Sequence, residues 1–91
     1  MANMMEFSNR AGVELHDTVV KRASEELSGA SNFDTFSAML GATLIATAYV
    51  LRGPIERGAN VEELLDFSKR WLRTLLEPAI NQSGGTSGPG A

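Results

Sequence analysis

The 91-residue chain contains no cysteine and only one histidine, one tryptophan and one tyrosine. Without cysteine there can be no disulfide, no thiolate zinc site and no cysteine nucleophile. A single histidine cannot build a His-rich metal centre, and the sequence implies no cofactor. An excess of positive charge is also missing. Eight Lys and Arg stand against eleven Asp and Glu, for a net charge of −3. Nucleic-acid binding normally draws on a basic patch, and no stretch of this chain supplies one, so nucleic acid is not an expected partner. Residues 1–7 have neither a basic start nor an apolar run, which argues against a secretory signal. With the absence of cysteine, this sets the expected location as cytoplasmic.

Length adds a further restriction. A chain of this size forms one small domain, which buries only about 60–65% of the surface its unfolded form exposes. Small domains commonly offset that shortfall with disulfides, a metal or a second subunit. The first two are missing here, so self-association is the expected device.

What the chain does have is helical periodicity. The pattern predicts an all-α, small three-helix domain, with helices over about 8–28, 33–52 and 60–78, assembled as an oligomeric helical bundle. Residues 1–81 form the helical domain, and 82–91, rich in Gly and Ser, read as a flexible C-terminal tail. In the first helix, Ser8 is the expected N-cap and Gly29 the expected left-handed terminator. Leu15, Val19, Ala23 and Leu27 line one face, with His16 inside the same apolar arc. Ser31, Asn32 or Asp34 could cap the second helix, and Gly53-Pro54 is the expected stop. Asn60 followed by Glu63 predicts a capped start for the third, and Pro78 predicts its end.

The second helix holds the most informative segment. Seventeen residues, Thr35 to Leu51, carry no charge. Phe36, Met39, Leu40, Leu44, Val50 and Leu51 share one face. Small residues, including Ala38, Gly41 and Ala42, occupy the other, which only Ile45 and Tyr49 interrupt. A small-residue face lets another backbone come close, which would offset the roughly 1 kcal/mol that Gly41 costs inside a helix. The run is at the lower edge of the roughly 17–25 residues a membrane span requires, it includes Ser, Thr and Gly, and no basic cluster flanks it. A buried helix of a soluble domain is therefore expected, and a membrane is not an expected partner.

Spacing sets up no catalytic constellation. His16 has no nucleophile or orienting carboxylate set beside it by spacing, so its expected place is a half-buried core or an interface, where it could act as a pH-dependent switch. Glu25/Glu26 and Glu62/Glu63 are neighbours that splay about 100° apart on a helix, which prevents a local acid/base dyad. The glycines of the tail lack the Lys-Ser/Thr of a phosphate loop. A DNA-recognition helix reads bases with its N-terminal half, and here that half would present Glu62, Glu63 and Asp66 to the phosphates.

Three apolar stripes exceed what one small bundle can cover. The expected function is that of a non-enzymatic homo-oligomeric helical protein that acts by protein–protein interaction, as an adaptor, assembly component or inhibitor. Its partners would be a second copy of itself and another protein. Candidate interface residues are Ala38, Gly41 and Ala42, with His16, Tyr49, Phe67 and Trp71. The alternative is a sensor or sequestering protein that holds a small ligand between helices or subunits, contacted by His16, Tyr49 or Arg52.

Overall fold

A computed structural model describes the backbone of residues 3–87 and the side chains of residues 3–82. It is all-α: three helices in sequence, with no strand among the described residues. Helix α1 spans Met4–Glu26, α2 spans Asn32–Glu56 and α3 spans Val61–Ser87. The expected number, type and order of elements are all present; α1 starts earlier than expected and ends two residues short, α2 extends at both ends, and α3 extends at its C-terminal end.

The start of each helix follows one local rule. A polar side chain accepts from the backbone N–H three residues on, and that residue is acidic. Asn3 Oδ1 accepts from Glu6 N at 3.0 Å, Ser31 Oγ from Asp34 N at 3.1 Å, and Asn60 Oδ1 from Glu63 N at 2.9 Å. Each cap satisfies one of the donors that a helix N-terminus leaves without a partner, and the acid complements the positive end of the dipole. Asn60 is the cap that the sequence indicates for α3, and Ser31 is one of its three candidates for α2. The start of α1 needs correction: Asn3 is the cap, and Ser8 lies a full turn inside the helix.

The helix ends differ more from expectation. Gly29 does not adopt a positive φ; α1 closes at Leu27, whose N–H bonds to Ala23 O at 2.8 Å. Gly53-Pro54 does not stop α2, which continues to Glu56. The clash that keeps a residue before proline out of helical geometry involves that residue's Cβ, which Gly53 lacks. The true terminator is Gly58, at φ 99°. Gly58 N bonds to Ile55 O and Ala59 N to Pro54 O, both at 3.0 Å. This is the paired pattern in which a left-handed glycine satisfies the last carbonyls of a helix. Pro78 likewise does not end α3. Proline removes one backbone hydrogen bond and adds a local clash, and the residues that follow it, Ala79 to Gln82, contain no further breaker. Helical backbone therefore enters the segment assigned to the tail, of which residues 88–91 lie outside the described part.

The chain divides into two compact units, residues 1–50 and 51–91. In the first, α1 and the larger part of α2 form a helical hairpin through residues 27–31. Its centre is Ala23, which is 7% exposed and is the one buried residue among those described. In the second unit, the last turns of α2 lead through Gly58 into α3. Its half-buried residues are Leu51, Gly53, Pro54, Ile55, Leu64 and Ser68. Ion pairs on the helix surfaces, Arg22–Glu26 at 2.9 Å and Arg70–Asp66 at 3.0 Å, are exposed i,i+4 contacts worth about 0.3–0.5 kcal/mol each.

Candidate interaction surface

The seventeen uncharged residues of α2 present two apolar sides, and the hairpin uses one of them. Ala38, Met39 and Ala42 line a groove of about 390 Å³ together with Val19, Ala23 and Leu27 of α1. Ala38 and Ala42 thus turn toward α1, and so does Met39, expected on the face of large side chains; Ala23 of α1 is the most shielded of the described residues there. Four other large side chains are left outside: Phe33 is 72% exposed, Phe36 58%, Leu40 45% and Leu44 56%. No residue of α2 is buried. With 25 residues and a mean hydropathy of 1.3 in its most apolar stretch, α2 is long and apolar enough to cross a membrane by length and composition.

Two hydroxyls within this apolar helix are satisfied by its own backbone. Thr43 Oγ1 donates to Leu40 O and Thr47 Oγ1 to Thr43 O, both at 2.9 Å. A hydroxyl bonded in this way can leave water without an unsatisfied donor. The same device occurs in α3, where Ser68 Oγ donates to Leu64 O at 2.8 Å in the middle of the apolar arc.

Helix α3 carries a second exposed apolar surface. The rings of Phe67 and Trp71 meet edge to face with centroids 5.8 Å apart, an arrangement favoured by the aromatic quadrupoles. Leu72 and Leu75, further along the helix, are each more than half exposed. Across the described residues, 21 large hydrophobic side chains are exposed.

The remaining residues singled out in the sequence are dispersed. His16 is not half-buried: its side chain is 69% exposed, with Nδ1 3.2 Å from Asp17 Oδ1. The two residues are consecutive, and flexible side chains close the angular gap that spacing alone would leave. Tyr49 is 66% exposed. Gly41 is half-buried, yet a Cβ built there would meet nothing within 4 Å. None of His16, Tyr49 and Arg52, the side chains expected to contact a small ligand, lines the groove between α1 and α2. Among the described residues, no three His, Asp or Glu side chains come together as a ligand set. Sequence reading missed Phe33 as a member of the outward face, because it lay at the expected start of the helix; the alternation Phe33, Phe36, Leu40, Leu44 was the available signal. Comparison with protein-family models, curated proteins and solved structures returns no match.

Proposed function

We propose that this protein is a non-enzymatic helical association module that binds a second copy of itself and, through the assembled surface, another protein in the cytoplasm. One observation carries this reading. The protomer keeps Ala23 as its buried residue while 21 large hydrophobic side chains face outward among the described residues. Monomers rarely expose contiguous apolar patches beyond about 300–600 Å², and larger ones mark interaction sites. Phe67 and Trp71, of the residue types enriched at binding hot spots, supply an anchor for the heterologous partner. An adaptor, an assembly component and an inhibitor would all work through such docking.

Light scattering on the purified full chain, coupled to size exclusion, tests the self-association. A mass at least twice that of the 9.7 kDa chain supports it, and a single-chain mass at all concentrations refutes it. A second reading, sequestration of a small apolar ligand, draws on the 390 Å³ groove, which lies within the ~300–1,000 Å³ range of ligand sites. Thermal shift across a metabolite panel separates the two. Stabilisation by one compound at a single-chain mass would favour the ligand reading.

A further inference from the structure

We infer that the outward face of α2, centred on Leu40 and Leu44 and flanked by Phe33, Phe36 and Val50, is the surface on which two copies of this chain meet. The inference rests on the association reading above and assigns its contact face. Three observations select α2 and a second copy.

The first is charge. A two-fold interface sets each patch against itself, so residues near the axis face their own symmetry mates. A patch carrying charge then opposes like charges or must desolvate ions. Between Thr35 and Leu51 there is no charge to oppose or desolvate. The apolar arc of α3, by contrast, runs among Lys69, Arg70 and Arg73.

The second is hydrogen bonding. Thr47, at the edge of this face, and the half-buried Thr43 beside it already donate within the helix. Docking strands neither of these donors, which leaves Ser37 as the hydroxyl on the face whose bond to water must be replaced.

The third is area. Phe33, Phe36, Leu40, Leu44 and Val50 are between 45% and 74% exposed. At these exposures, side chains of this size present on the order of 500–600 Å² per copy, which brings a pair close to the ~1,200 Å² lower bound of specific interfaces. The face therefore suffices for a dimer of modest affinity without recruiting other surfaces.

The test uses the full-length chain. In the Leu40→Asp/Leu44→Asp double variant, four carboxylates would crowd one interface. Self-association measured by analytical ultracentrifugation should weaken by at least about 100-fold, as expected when unpaired charge is forced into a buried contact. Helicity by circular dichroism should be retained, because both side chains are exposed in the protomer. The native absence of cysteine allows a second, independent readout. Single Leu40→Cys or Leu44→Cys variants should form disulfide-linked dimers under mild oxidation, whereas Leu75→Cys on α3 should not, since bridging needs Cα atoms within about 7 Å. An unchanged association constant in the double variant, with cross-linking from Leu75→Cys instead, overturns the assigned face and leaves self-association standing. A wild-type chain that stays single at all concentrations overturns both. Co-flotation of the wild-type chain with phosphatidylcholine vesicles, lost in the double variant, would make a bilayer the occupant and overturn the inference.

Discussion

Replacing Gly41 by alanine separates two uses of the same helix. Gly41 lies in the interior of α2, where glycine costs about 0.8–1 kcal/mol relative to alanine through backbone entropy. Within the protomer, the added methyl meets nothing within 4 Å. No clash offsets the gain, and Gly41 borders the outward face without standing at its centre. Gly41→Ala should therefore stabilise the protein by nearly the full propensity difference. For a domain of this size, that is a rise in Tm of about 4–8 °C per kcal/mol. Thermal melts followed by circular dichroism at fixed protein concentration, with the mass checked by light scattering, measure it. A fall in Tm together with a fall in mass would refute the reasoning, because it would mean that another backbone rests against Gly41 in the assembly and that the small-residue side of α2 is the true contact.

Other positions give outcomes of different sign. Gly58→Ala should destabilise by about 1 kcal/mol, since φ 99° at the end of α2 suits only a residue without Cβ; chemical denaturation checks this. Asn60→Ala should cost about 0.5–2 kcal/mol in the same assay, through loss of the 2.9 Å bond from Glu63 N. Ala23→Asp places a carboxylate at the one buried position among those described, and should cost several kcal/mol, seen as loss of cooperative unfolding. Trp71→Ala should leave helicity and self-association nearly unchanged but abolish capture of a heterologous partner in pull-downs, because Trp71 is 41% exposed in the protomer.

Much of the secondary structure could be read from local sequence. Asn60 and Glu63 announce α3 because a cap and an acid at the right spacing satisfy the same backbone donor wherever they occur. Asn3 and Glu6 carry the same signal, but Ser8 competed with them, and propensity alone does not rank two caps one turn apart. Helix ends were harder. Gly53 and Gly58 are both candidates for a left-handed terminator; Pro54 follows Gly53 and has no N–H to give the second of the paired bonds, whereas Ala59 follows Gly58 and gives it to Pro54 O. Pro54 and Pro78 read as breakers, yet each removes one bond from a helix whose neighbours can continue it. The candidate surface was only half legible. That α2 has two apolar sides follows from periodicity. Which side turns inward does not, because Ala38 and Ala42 can admit a close neighbour from the same chain or from another. The fit of Ala23 into that side is a property of the hairpin, and no single helix encodes it. His16 differs from expectation for a related reason: its position on the wheel is apolar, but Val13 and Val20 on the same arc are themselves exposed, so the hairpin leaves this part of the arc uncovered.

A protomer whose best-shielded side chain, among the described residues, is the methyl group of Ala23 has little internal cohesion to lose. Under the association reading, dilution becomes as effective a denaturant as heat, because mass action sets the population of the ordered form, and the melting point should climb with concentration. The same logic reaches the cell. Freshly synthesised copies would pass through a window of protease sensitivity whose length depends on how soon they find one another.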